Sequence, residues 1–454
     1  MPSGVFDSIL LRDSWSTEEL RAVFSDENRV QKWYDVEATL ASEQAAFGIV
    51  PREAAGEIMR NAKVEKVDLV EIARAMGEAK HPLVPALRAL QKLCKPELGE
   101  WLHYGPTTQD ILDTGMALQL KEAHGAVLRD LKAVGRALYN LAERHRATPM
   151  AGRTHGVQAL PITFGHKCAI WLREISRHRE RLAEAEKRVF VGSLVGAVGT
   201  MASFGPRAVE LEAAVMRRLG LAQADISWHP ARDRFAEYAS ILGLVAGTLT
   251  KIANEVFHLQ ATEVDEVEEP FNPGKVGSST MPHKRNPSLC ESMITVGRTL
   301  RYDVAIMQEA LVQTHERESA IWKLEWKALP EVCMGVGLLL SVGRNILEHL
   351  VVKPERMREN LDRLGGLLLS ERVMFFLGEK LGKQTAHEVV YEAAMAAQEQ
   401  GTTLEAALAR DPRVKKVATP AELAGILDPT TYVGLALGLV DRALAQTKAE
   451  GWLE

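Results

Sequence analysis

Apolar positions recur along this chain at the three-and-four spacing of an α-helix, over stretches longer than most globular helices. From Gln109 to Arg146, residues such as Ile111, Leu112, Met116, Leu120, Val127, Leu131, Val134, Leu138 and Leu141 hold one face for roughly ten turns. Similar patterns predict helices over Pro161 to Val189, Arg234 to Glu263, Ser288 to Thr314 and Ser319 to Leu350. Alternating β-branched runs bounded by turn residues are scarce, so the fold class is all-α. Five helices of this length can bury their stripes only against one another, which predicts a long-helix bundle. The segment from Ile241 to Leu259 is apolar over more than one stripe, and a lone bundle would leave such faces exposed. Association through the long helices as a symmetric oligomer is therefore expected.

Shorter amphipathic patterns precede the long ones, as in Val36 to Phe47, which Gly48 and then Pro51 stop. After Val352 the helices shorten and are broken at Pro354, Gly365, Gly382, Pro412, Pro420 and Pro429, while 383–388 reads as a helix start. The expected organisation is an N-terminal helical domain over 1–108, a central bundle over 109–352 that carries a loop at 271–287, and a small C-terminal helical domain over 353–454.

At 454 residues the chain exceeds what one core usually serves. Its net charge of −5, from 55 basic and 60 acidic residues, leaves no basic footprint for nucleic acid or a membrane surface. No secretory leader pattern and no run of about 18 uninterrupted apolar residues occurs, so a soluble cytoplasmic protein is expected. Cys94, Cys168, Cys290 and Cys333 lie far apart without a CxxC pair and read as buried thiols, not as metal ligands or disulfides.

Candidate chemistry gathers in loops. The stretch Gly277-Ser278-Ser279-Thr280-Met281-Pro282-His283-Lys284-Arg285-Asn286-Pro287, followed by Glu291, places paired hydroxyls beside cations, an arrangement suited to an anionic substrate. Lys284 and Asn286, two apart on an extended backbone, face one side, where an ammonium and an amide could grip one carboxylate. Ser278 could act as a base only if backbone amides and a cation stabilised its alkoxide; otherwise it caps a turn. His103 to Asp110 opens the longest helix, where Thr107, Thr108 and free N–H groups offer either an anion seat or an ordinary cap. Gly152 to Gln158 is a turn that holds Arg153 and His155, the latter suited to proton transfer near neutral pH. Arg232-Asp233-Arg234 reads as capping ion pairs or a substrate contact, and His315 to Glu318 as a solvated cluster or an anion contact at Arg317. No phosphate loop, metal-spaced His/Cys set or Gly-x-Ser-x-Gly elbow is present, which leaves acid–base chemistry without a cofactor or metal.

The string Gly277 to Asn286 with Glu291 resembles the signature of the fumarase/aspartase superfamily, and Gly105 to Asp110 and Gly152 to Gly156 match its other signature regions in order. The likeness runs from Phe24-Ser25-Asp26-Glu27-Asn28-Arg29 to Arg317. It implies a three-domain protomer, a twenty-helix core in a homotetramer, and active sites each built from three subunits. It further implies removal of a proton next to a carboxylate, an aci-carboxylate dianion, and loss of a leaving group from the neighbouring carbon. By match to the motif, Ser278 would be the base, and His155, oriented by Glu291, would be the acid that protonates the leaving group or would activate a group that does. The resemblance further implies that Thr107, Thr108, Gln109, Thr154, Ser279, Lys284, Asn286, Arg232 and Arg317 bind a small di- or tricarboxylate.

Two branches of that family leave marks. Gly152 to Val157 looks like adenylosuccinate lyase, which favours elimination of fumarate from an N-substituted aspartate or succinyl-type substrate by a carbon–nitrogen lyase. Trp322, Glu325, Trp326, Leu329 and Pro330, with Phe6-Asp7, look like 3-carboxy-cis,cis-muconate cycloisomerase, which forms a lactone. Trp326 stands where adenylosuccinate lyases typically carry a phosphate-holding arginine, so a nucleotide is not expected in the substrate. A non-catalytic structural protein on the same scaffold is the remaining alternative.

Overall fold

The structure, a computed structural model, describes residues 4–271, 274, 278 and 280–453. Among them the chain forms nineteen α-helices and two antiparallel two-stranded sheets. Six helices position the candidate site: α1 (Asp26–Ala46), α2 (Thr108–Arg144), α3 (Phe164–Val189), α4 (Asp233–Leu259), α5 (Ser288–Glu309) and α6 (Ser319–His349). The last five are the long helices that the periodicity predicts, with α2 the longest at 37 residues.

The ends differ in instructive ways. Residues 161–163, expected to begin a helix, instead belong to β2 (Val157–Thr163), which pairs with β1 (Pro149–Thr154) in the order Ala151 to Pro161 and Thr154 to Val157. A two-stranded ribbon has an open edge on either side, so a proline can sit in it. Helices α4 and α5 stop at Leu259 and Glu309, short of the expected Glu263 and Thr314. Helix α1 begins well before Val36, because Ser25 caps it by accepting the Asn28 N–H at 3.2 Å.

The chain folds into two compact units, each drawn from three separated segments. The first comprises Met1–Leu131, Arg177–Thr250 and Ser292–Ser341. Its aromatic core gathers Trp33, Tyr34, Leu87, Leu90, Ile111 and Trp322, each burial contributing about 1.5–3 kcal/mol. The Tyr34 hydroxyl keeps a partner by donating to the Ala86 carbonyl at 2.8 Å.

The second unit comprises Lys132–Ser176, Lys251–Glu291 and Val342–Glu454. Ala151 of β1 packs on Leu361, Leu368 and Leu369, and β3 (Val267–Glu268) pairs with β4 (Val351–Val352). The C-terminal helices enclose Val373, Leu377, Val389, Leu404 and Leu408. Pro354, Pro412 and Pro420 occupy helix first turns, where a missing N–H costs nothing, so these breaks are also starts. All four cysteines are buried. The most apolar stretch of α6 is 72% buried inside the protein, as in a core helix.

Candidate active site

In the first unit the site begins at the N-terminus of α2. Asp110 reaches back to accept the Thr107 N–H at 2.9 Å, the carboxylate half of a capping box. The Thr107 hydroxyl does other work: it accepts Nη1 of Arg317 at 2.5 Å, across 210 positions of sequence. That bond uses one lone pair of the hydroxyl and leaves its own proton available to another acceptor. Thr108 Oγ1 lies 3.4 Å from Nε2 of His81. The other ring nitrogen of His81 accepts the N–H groups of Leu83 and Val84 at 3.2 and 3.1 Å, which puts the proton on Nε2. Burial, aided by nearby His103, lowers the His81 pKa and keeps the ring neutral.

Beneath the threonines, Asp110 is fully buried and accepts five hydrogen bonds. Oδ2 takes the Thr107 and Gly196 N–H groups, both at 2.9 Å. Oδ1 takes the Val195 N–H at 2.9 Å, Ser193 Oγ at 3.0 Å and His229 Nε2 at 3.0 Å. Burial raises its pKa, but the bonds from His229 and the backbone outweigh that and hold the carboxyl below the ordinary aspartate range. One buried anion thus joins the α2 start to the 193–196 loop, which fixes where Thr107 stands.

Two residues expected at the substrate point elsewhere. Gln109 is buried, and its amide donates to Asp113 and to the His229 carbonyl, both at 3.1 Å. Arg232 has no exposed side-chain surface and is corrected from substrate contact to internal brace. It pairs with Asp113 at 2.7 and 3.0 Å and with Glu325 at 2.8 Å, with a second, shorter bond to the same glutamate. The rings of Trp228 and Phe235 lie 4.9 and 5.3 Å from the guanidinium, and Trp322 donates to Asp113 at 2.9 Å. The Arg232 charge offsets the cost of burying two carboxylates, so its removal would leave them uncompensated.

In the second unit, β1 and β2 form a hairpin whose two tip residues, His155 and Gly156, have φ of +54° and +83°. Two positive values in succession define the type I′ turn that matches strand twist, and glycine at the second position relieves its strain. His155 and Thr154 are exposed at this tip. Arg153 anchors the hairpin through a forked pair with buried Glu266 at 3.0 and 2.7 Å, and Asn360 donates to the same carboxylate at 2.9 Å.

The loop before α5 is tied at its downstream end. Glu269 accepts the Leu289 and Cys290 N–H groups at 3.0 and 2.9 Å, a carboxylate on a helix N-terminus. Arg285 pairs with Glu268 at 2.9 Å and lies 5.0 Å over the Phe271 ring. Lys284 is exposed and has no ion-pair partner among the described residues, and Asn286 is half-buried. Ser278 Oγ accepts the Met281 N–H at 3.1 Å and the Thr280 N–H at 3.4 Å. These i+2 and i+3 contacts are those of a serine that caps a turn, and they would also face an alkoxide at Oγ. Gly277 and Ser279 lie outside the described residues.

The fold thus joins Thr107 with Arg317 and sets Thr108 beside His81. Among the described residues, no hydrogen bond or ion pair links His155, Ser278, Lys284, Asn286 and Glu291 to one another. His81, Ser193 and His229 escape sequence reasoning, since isolated histidines and serines carry no spacing signal. Thr107-x-x-Asp110, a capping-box spacing, is the one local sign of the buried network.

Residues 12–300 match the family model described as Lyase, and 366–443 match that of the adenylosuccinate lyase C-terminus. The N-acetyl-S-(2-succino)cysteine lyases of Enterococcus italicus and Dickeya dadantii are 46% and 45% identical, each over 100% of both chains. The crystal structure of 3-carboxy-cis,cis-muconate lactonizing enzyme from Pseudomonas putida superposes with a TM-score of 0.93 at 37% identity. It covers 97% of this chain and 99% of that one.

Proposed function

This chain belongs to the fumarase/aspartase superfamily and is an enzyme, and from that premise we propose that it eliminates fumarate from an S-(2-succino) thiol of the N-acetylcysteine type. The observation that carries this reading is the full-length likeness to two N-acetyl-S-(2-succino)cysteine lyases. It moves the leaving atom from nitrogen to sulphur and leaves the rest of the elimination chemistry in place.

In the proposed reaction Ser278, with its alkoxide held by the Met281 and Thr280 amides, takes a proton from the methylene next to one succino carboxylate. Lys284, Asn286 and the hydroxyl groups of Thr107 and Thr108 stabilise the resulting dianion. The carbon–sulphur bond then breaks, the electron pair leaves on sulphur, and fumarate forms. A thiolate, with a parent pKa of about 8.5, departs with far less help than an amine, so His155 serves chiefly to protonate the released sulphur. Thr154 and Ser279 complete the carboxylate contacts, and Glu291 orients His155.

Assembly of the site by several subunits of a homotetramer is part of the proposal. It is supported by Ile170, Leu244 and Tyr302 of α3, α4 and α5, which are 49%, 51% and 75% exposed in the single chain.

The Trp322 to Pro330 stretch, shared in character with cycloisomerases, favours the second reading, lactone formation from 3-carboxymuconate. Incubation with N-acetyl-S-(2-succino)cysteine, adenylosuccinate and 3-carboxymuconate, with products identified by NMR, separates them. Fumarate plus N-acetylcysteine is the expected outcome; a lactone without fumarate overturns it.

A further inference from the structure

A cavity of about 220 Å³ lies inside the first unit, one helical turn beyond Thr108, lined by Trp33, Met76, Pro82, Leu112, Met116 and Trp326 among others. Leu112 follows Thr108 by four residues on α2, and Pro82 follows the histidine that touches Thr108, so the cavity adjoins the threonine end of the candidate site. We propose that this cavity is the pocket for the N-acyl group of the substrate, and that it admits acyl chains longer than acetyl. The inference rests on the succino-thiol reading above and names what selects the leaving group.

The walls carry the argument. Where a charged leaving group would need a cation, the cavity presents Trp326, packed edge-on against Trp322 with ring centroids 4.9 Å apart. Its polar lining is occupied. Asp113 accepts four hydrogen bonds, from Gln109, Trp322 and twice from Arg232, which uses every lone-pair direction of the carboxylate. Glu325 is held twice by Arg232, and Arg29 pairs with Asp26 at 2.7 Å. Burial raises the Glu325 pKa, against the lowering effect of the Arg232 charge and hydrogen bonds. Among the described residues Arg29 is the one cationic side chain in the lining and it already pairs with Asp26, while a free ammonium would find no free carboxylate oxygen on Asp113.

Size agrees with this. Apolar cavities of about 150 Å³ take up benzene, so 220 Å³ holds an acyl group of at least that bulk. An acetyl group would leave space unfilled, and each added methylene that enters it gains binding of up to about fourfold.

The test is kcat/KM for S-(2-succino)cysteine bearing a free amine, N-acetyl, N-propionyl or N-butyryl, with the parent enzyme and with Met76→Trp. Met76 is half-buried at the cavity wall, so a larger ring can enter without opening the core. The parent should use the butyryl compound at least as well as the acetyl one, and the free amine at least about tenfold less well. Met76→Trp should lower butyryl turnover at least about tenfold more than acetyl turnover, while thermal melting stays near the parent's. If Met76→Trp fails to fold, Trp326→Phe, which widens the cavity, should shift preference toward longer chains instead. Equal use of free amine and all acyl compounds by parent and variants overturns the acyl pocket but keeps the lyase reading. No turnover of any succino-thiol overturns the lyase reading itself.

Discussion

Asp110→Asn tests how far one buried anion holds the anion seat in place. The carboxylate accepts three backbone N–H groups, one hydroxyl and one imidazole nitrogen. An asparagine keeps one acceptor oxygen and turns the other into a donor. Its NH₂ is least disruptive on the Oδ1 side, where Ser193 can rotate and His229 can change tautomer, yet there it still opposes the Val195 N–H. That leaves one buried donor unmet, about 1–3 kcal/mol, and removes the charge assistance from the remaining bonds, which brings the total to about 3–5 kcal/mol. Thr107 is bound through its own N–H, so kcat should fall as well. The sign with pH follows from the depressed pKa of Asp110. Its stabilisation is fully present above the ordinary value of about 3.9 and is lost as pH falls through the lower folded value. Urea unfolding followed by tryptophan fluorescence, at neutral pH and near pH 3, measures both effects. The difference between parent and variant should shrink in acid. A variant within about 1 kcal/mol of the parent at neutral pH refutes the reasoning.

Ser278→Ala should lower turnover by about 10²-fold to 10⁴-fold while circular dichroism and oligomeric state stay unchanged; near-parental turnover would remove Ser278 as the base. His155→Asn keeps a residue that tolerates positive φ, and its kcat/KM should fall at least about tenfold more for an N-substituted aspartate than for a succino-thiol. Equal losses would show that leaving-group protonation is not its task. Leu244→Glu places a charge on a half-exposed apolar helix face, and sedimentation velocity should report a species smaller than the parent's. An unchanged sedimentation coefficient would argue against assembly through α4.

The five long helices are legible because an apolar stripe is a local property: each residue needs to know only its neighbours three and four positions away. Their ends are less so, since β2 takes over at Pro161 only because β1 lies beside it. The chemistry-bearing residue types, hydroxyls beside cations in a loop and threonines at a helix start, are equally local and could be read directly. Tertiary structure alone decided what each charged group serves. Arg232 and Arg317 look alike in sequence, each in a short charged segment ahead of a long helix. One is enclosed by carboxylates 119 and 93 positions away, and the other stays exposed with its donor on Thr107. A guanidinium becomes a buried brace or an exposed donor to a helix start according to which distant groups surround it, and such pairings leave no periodic trace in the chain.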